Sequence, residues 1–127
     1  MRILVVEPGK KPEVQEIDGT LGAMQKLVGG PIQAIYLFED PMVLVANDEG
    51  KLMRLPMNRV LRDKSGKIYD IVCGTFFLCG LDEENFISLT DAQVKKFRKI
   101  YAVQDVFIKV ADGLLVLTEE RGVDDEG

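Results

Sequence analysis

The side chains best suited to chemistry lie between Asn47 and Gly80. Arg59 presents a forked, permanently charged donor that matches a carboxylate or a phosphate, and Asn58 beside it both donates and accepts. With Asp70, Arg54 and Arg62 they form a candidate binding set for a nucleotide, a nucleic acid or an acidic partner. The competing arrangement is internal, with Arg59 paired to Asp70 or to a backbone carbonyl and fixing its own loop. Between Lys51 and Lys67 six bases stand against one acid, Asp63, a density that can neutralise phosphates. Aromatic residues interleaved with those bases, the stacking platforms of single-strand binders, are missing, so a solvated loop explains the same charges. A second polar cluster is acidic: Asp82, Glu83 and Glu84, expected at the start of a helix, are suited to facing a nucleic-acid-binding groove.

The chain has no histidine. Ser-His-Asp and Cys-His catalysis, imidazole acid-base chemistry and most zinc sites are therefore excluded. Cys73 and Cys79 would lie about 20 Å apart on one continuous strand, beyond the reach of a disulfide or a shared metal ion. Two buried, inert thiols are expected; a metal-stabilised fold using them with carboxylates requires a sharp reversal at Gly74-Thr75. Asn47-Asp48-Glu49-Gly50 loosely resembles a calcium loop, but the place of the closing glutamate falls on Asn58, and turn chemistry accounts for the four residues. Neither the dinucleotide glycine pattern nor a Walker loop occurs. No catalytic residue, metal ligand or cofactor is assigned, and a non-enzymatic protein is expected.

At 127 residues, 46% hydrophobic and 29% charged, the composition is that of a globular domain. Such a chain buries roughly two thirds of its unfolded surface. No apolar run approaches the ~18 residues of a membrane span, and the first apolar run is closed by Glu7 and Pro8. A cytosolic location without a membrane partner is the expectation. The net charge is -5, and residues 119–127, with five acids and Arg121, account for -4 of it, leaving -1 for the rest. One domain over 1–118 followed by an acidic, disordered tail over 119–127 is expected.

Hydrophobic periodicity and turn residues outline the elements that must position these groups. Strands are expected at Arg2 to Val6 and, returning antiparallel after Pro8 to Pro12, at Glu13 to Ile17. Asp18 or Thr20 caps a helix with Leu21, Met24, Leu27 and Val28 on its apolar stripe, ended by Gly29-Gly30. Further strands are expected at Ile32 to Phe38 and Met42 to Ala46, with Lys51 to Leu55 as a hairpin partner and one helical turn over Asn58 to Leu61. Asp63 to Gly66 turns into one long strand, Ile68 to Leu78, bulged at Gly74. Thr90 and Gln93 form a capping box with a Leu89–Val94 staple, opening a helix whose buried stripe is Val94, Phe97, Ile100 and Tyr101. Its basic later turns suit the helix dipole. An Asp112-Gly113 turn joins Val106 to Val110 with Leu114 to Thr118. The order predicts an α+β fold, a mostly antiparallel sheet with two helices packed on one face and a C-terminal β-hairpin.

Four segments carry a resemblance to a known family: Ile3-Leu4-Val5-Val6-Glu7-Pro8-Gly9, Glu16-Ile17-Asp18-Gly19-Thr20-Leu21, Leu55-Pro56-Met57-Asn58-Arg59, and Tyr69-Asp70-Ile71-Val72-Cys73-Gly74-Thr75-Phe76-Phe77. Over about residues 2–101 the chain resembles the domain of unknown function numbered three-eight-four-six, a family of phages and integrated mobile elements. The cysteines do not belong to the pattern, and the final hairpin and tail lie beyond it. The resemblance implies a small accessory protein of a mobile element and supplies no catalytic residue. Two readings follow. One is a stoichiometric binder of a host protein or nucleoprotein complex, such as an anti-CRISPR-like inhibitor of a defence nuclease. The other is a nucleotide or nucleic-acid binder using the basic 51–67 loop. The N-terminal strand and the final hairpin both offer edges for dimerisation.

Overall fold

Strands that are apolar at every position need cover on both faces, and that requirement organises this molecule. The computed structural model describes residues 1–36 and 38–119. Its elements are β1 (Arg2–Val6), β2 (Glu13–Glu16), α1 (Leu21–Val28), β3 (Ile32–Ile35), β4 (Met42–Asn47), β5 (Met57–Arg62), β6 (Ile68–Cys73), β7 (Phe76–Asp82), β8 (Asn85–Ile87), α2 (Asp91–Ala102), β9 (Gln104–Val110) and β10 (Gly113–Glu119). The main sheet runs β2-β1-β7-β4-β3, with β8 added to β7, while β5-β6 and β9-β10 form separate two-stranded ribbons. Every pairing between these strands is antiparallel, so the α+β, antiparallel reading with a C-terminal hairpin holds.

The central strands bury both of their faces. Leu4, Val6, Leu44, Ala46, Phe76 and Leu78 point to one side, where Phe97 and Tyr101 of α2 and Leu61 and Val72 of the β5-β6 ribbon cover them. Ile3, Val5, Val43, Val45, Phe77 and Cys79 point to the other, against Met24 and Val28 of α1. The two helices therefore lie on opposite faces of the sheet, which corrects the expected one-faced arrangement. The cause is visible in the strands: alternate residues face opposite ways, so an unbroken apolar run needs a cover on each side. Truncating a core aromatic such as Phe97 to alanine would cost about 3–5 kcal/mol.

Both helices have the predicted ends. Thr20 Oγ1 accepts from the Ala23 N–H, and Gly29 closes α1 with φ 85°. Thr90 and Gln93 complete a reciprocal capping box on α2; Leu89 is buried in the core below it, and Val94 packs against the same cluster.

The middle of the chain differs from expectation. Lys51 to Leu55 is not a strand: the Met53 N–H donates to Glu49 O over 2.9 Å, and Arg54 takes a left-handed φ of 57°. The strand begins after Pro56, which favours extended backbone before it, and Asn58 to Leu61 lies inside β5 rather than in a helical turn. Ile68 to Leu78 is two strands in two different sheets, separated at Gly74. Gly74 has φ 88°, and a Cβ there would sit 2.7 Å from Leu55 Cδ1. Asp82 to Glu84 is no helix start but the tight turn of the β7-β8 hairpin, with Glu83 at φ 57°. β3 stops at Ile35, short of Phe38.

Of the expected tail, Glu119 ends β10 and residues 120–127 lie outside the described residues. The N-terminal strand is not an available edge, because β1 is flanked by β2 and β7. Among the described residues no helix is long and apolar enough to cross a membrane.

Gly74→Ala should lower stability in urea by roughly 2–4 kcal/mol, from the left-handed backbone and the Leu55 clash together. Gly66→Ala is the control, because Gly66 has φ +87° and nothing within 4 Å of its added Cβ; it should cost only about 1–2 kcal/mol. Equal losses would show that the Leu55 contact contributes nothing.

Candidate functional site

The Asn58–Arg59 pair is built by a bulge. Met57 pairs with Cys73 and Arg59 with Val72, leaving Asn58 as an extra residue on β5 and turning consecutive side chains inward. Asn58 Nδ2 donates to Val6 O at 2.9 Å and to Gly74 O at 2.8 Å. Its Oδ1 accepts from Arg59 Nη1 at 2.8 Å. Arg59 Nε and Nη2 donate to Tyr101 O at 3.3 and 2.8 Å, Nη2 also to Lys10 O at 2.7 Å, and Nη1 to Asn58 O at 3.3 Å.

Arg59 is only 2% exposed, and none of these acceptors is a carboxylate. Tyr101 O belongs to the last turn of α2, where carbonyls have no helical partner, so the guanidinium caps the negative end of that helix. Burial pulls the Arg59 pKa below its usual value, with Asp105 and Tyr101 opposing the shift. Of the arrangements anticipated for Arg59, the backbone-carbonyl one is observed. Asp70 is engaged elsewhere, by Lys51 Nζ. Burial pushes the Asp70 carboxyl up, but hydrogen bonds from Lys51 and the Ile71 N–H outweigh it and hold the pKa below the ordinary value.

Beside this pair opens a cleft of about 810 Å³ between α2, β5 and its following turn, the 38–40 segment and the base of β9-β10. Its deep side is apolar and aromatic. Phe38 meets Phe97 edge-on with centroids 5.0 Å apart, and Tyr101 stands edge-on to Phe76 at 5.5 Å. Tyr69 and Ile100, 53% and 48% exposed, form its accessible walls.

The rim charges are engaged within the chain, four of them in two ion pairs. Lys64 pairs with Glu39 at 3.2 Å and Lys96 with Asp40 at 3.1 Å. Arg62 donates to Gly66 O at 2.9 Å and to Thr118 Oγ1 at 3.0 Å. Thr118 Oγ1 donates to Asp105 Oδ1 at 2.8 Å, and the Val60 N–H donates to Asp105 Oδ2 at 2.9 Å, fastening the β9-β10 base to β5. Exposed ion pairs of this kind are worth ~0–1 kcal/mol each and exchange partners at little cost. An aromatic trough rimmed by such charges suits an apolar side chain carried on a polar segment.

Among the residues singled out from sequence, Arg59 and Arg62 line this cleft and Asn58 braces it from behind. Arg54 and Asp70 are exposed away from it, and Asp82, Glu83 and Glu84 form a separate solvent-facing turn. The six bases of the 51–67 segment are dispersed: Arg59 is buried, Lys51 and Lys64 are paired, and Arg62 is tied to the hairpin. Sequence reasoning missed Phe38 and Tyr69 and placed Ile100 in the buried stripe of α2. Its only signal was spacing: Val94, Phe97 and Tyr101 complete a three- and four-residue stripe without Ile100.

Cys79 is buried beneath α1, with its thiol pushed up to about 12 by burial. Cys73 is half-buried at the end of β6, its pKa raised by burial against the opposing charge of Lys51. Native protein at pH 8 should therefore leave Cys79 unmodified by a thiol reagent and modify Cys73 slowly, with both reacting on unfolding. Rapid native modification of both would contradict the packing.

The family model described as Domain of unknown function (DUF3846) matches residues 1–102. The chain belongs to this family. The DUF3846 match runs from β1 to the last residue of α2 and ends just before β9, so the β9-β10 hairpin lies outside the matched residues. No curated protein and no solved structure matches the chain.

Within the DUF3846 domain, Arg59→Met should cost roughly 3–5 kcal/mol in urea unfolding, because it strands the buried Tyr101 carbonyl, the partly buried Lys10 carbonyl and the Asn58 amide oxygen. Arg59→Lys should recover little of this, since an ammonium lacks the fork. A loss below about 1 kcal/mol for Arg59→Met would refute the capping role.

Proposed function

We propose that this protein acts by stoichiometric, non-catalytic binding to a macromolecule, and that the α2–β5 cleft receives a segment of that partner. The supporting observation is the cleft itself: accessible Tyr69 and Ile100 over a buried aromatic floor, framed by charges already engaged inside the chain. The groups that would be asked to do acid-base work there are engaged, with Asp105 holding Val60 and Thr118, and Arg59 holding carbonyls. The mobile-element association implied by the resemblance gives the reading its specific form, an accessory protein that occupies a host protein or nucleoprotein complex. An anti-CRISPR-like inhibitor of a defence nuclease is that form. The exposed turn Asp82-Glu83-Glu84 adds an acidic surface suited to a basic groove.

The immobilised protein should retain a protein partner from a host lysate after nuclease treatment. Ile100→Asp or Tyr69→Ala should cut that retention at least about tenfold, with no change in the unfolding midpoint. Retention unaffected by both substitutions would sink the cleft as the contact. Retention abolished by nuclease would move the reading to nucleic acid and the bases of the 51–67 segment. With the purified partner, inhibition should saturate at equimolar protein; inhibition by far less would indicate a catalyst.

A further inference from the structure

A two-stranded ribbon standing alone is at best marginally stable in water and needs a third layer or strand. β9-β10 is such a ribbon, and its pairing register sorts its side chains cleanly. Val106 lies opposite Leu117, Ile108 opposite Leu115 and Val110 opposite Gly113, so one face is aliphatic from Val106 to the tip. Its five side chains are 40–51% exposed. Between Val106 and Val110 this patch carries no charge and no hydrogen-bonding side chain; Gln104, opposite Glu119, continues the face at the base of the hairpin. Asp105 and Thr118, which tie the hairpin to β5 and line the cleft, belong to the opposite face, with Phe107, Lys109, Leu114 and Val116.

We propose that this face is a homodimer interface, on which the hairpin of a second copy packs about a two-fold axis. Several observations select a second copy over other occupants. The five half-exposed side chains expose roughly 400 Å² per copy, so two such faces bury about 800 Å² of aliphatic surface before backbone and edge contacts are added, the size of a weak, reversible dimer below the roughly 1,200 Å² of stable interfaces. The aliphatic patch from Val106 to Val110 meets its own image with no like-charge contact within it. Residues 120–127 bring one aliphatic side chain, Val123, and four acids, a composition unsuited to covering it.

The other strands also differ from β10 in how their edges are guarded. β2 carries Glu13 and Glu16, β6 carries Asp70, β3 has four residues and follows Pro31, and β8 has three. β10 reads Gly-Leu-Leu-Val-Leu-Thr before its first charge at Glu119. Edge strands left without charge, proline or brevity are pairing sites. Because the cleft opens from the opposite face of the hairpin, the dimer leaves a cleft free on each copy, and the inference does not rest on the binding function proposed above.

Sedimentation of the full chain from about 1 to 100 μM should show a monomer–dimer equilibrium. It should persist or tighten at ~0.5 M salt, since salt screens the repulsion between two net-negative copies. Ile108→Asp and Leu115→Asp, the central cross-strand pair, should each weaken dimerisation at least about tenfold, while Lys109→Ala on the opposite face should leave it intact. Circular dichroism and the unfolding midpoint would establish that each variant keeps its fold. Val110→Lys, nearer the hairpin tip, is the substitute should either aspartate variant unfold. A wild-type monomer at 100 μM, a dimer indifferent to these substitutions, or open-ended growth into larger species would each overturn the proposal.

Discussion

The Asn58–Arg59 pair is the interaction on which the rest of the structure depends. It gathers the end of β1 through Val6 O, the β1-β2 loop through Lys10 O, the β6-β7 reversal through Gly74 O and the C-terminus of α2 through Tyr101 O. Those carbonyls are buried or partly buried and come from segments far apart in sequence. Each would otherwise be a desolvated acceptor. One planar guanidinium with five donors, extended by one amide, satisfies them together and holds the β5-β6 ribbon on the sheet. The charge is costly to bury, and the α2 terminus offsets part of that cost because its carbonyls are the negative end of the helix dipole.

Three of the four segments that carry the family resemblance converge on this same point. Ile3 to Gly9 contains Val6, Leu55 to Arg59 contains the pair itself, and Tyr69 to Phe77 contains Gly74, whose N–H also donates to Pro56 O at 2.7 Å. Those three segments therefore meet at a structural junction of this chain. The features available to a partner lie around and beyond the junction. The aromatic cleft takes its floor from α2 and β5, and the aliphatic hairpin follows the matched region. The clamp of Asp105, Thr118, Arg62 and Val60 joins the two by fastening the hairpin base at the cleft's edge.

Reading the sequence succeeded where local physics dominates. Thr20, Thr90 and Gln93 cap helices through bonds spanning three residues, Gly29 supplies the left-handed C-cap, and the final hairpin turns at Ala111-Asp112, one residue before the expected Asp112-Gly113. It failed between Lys51 and Glu84 because the deciding contacts there are distant. Nothing near Asn58 reveals that it occupies a bulge facing Val6, and nothing near Gly74 reveals Leu55 pressing on it. Asp82 to Glu84 reads as readily as a helix start as a hairpin turn, until β8 is seen to pair with β7.

By itself, the sequence determined the element types at both ends of the chain, the α+β class, the lack of histidine chemistry and the pairing of Asn58 with Arg59 as the notable polar residues. Tertiary structure alone decided that the helices cover opposite faces of the sheet, that Arg59 binds carbonyls instead of Asp70, and that Ile100 and Tyr69 wall a cleft. The reason is range. Capping, turn geometry and periodicity act within a few residues and are written in consecutive letters. Which helix covers a strand face depends on partners as distant as Leu4 and Phe97, and a buried guanidinium meets carbonyls 42 and 49 positions away; these come together only when the chain closes on itself.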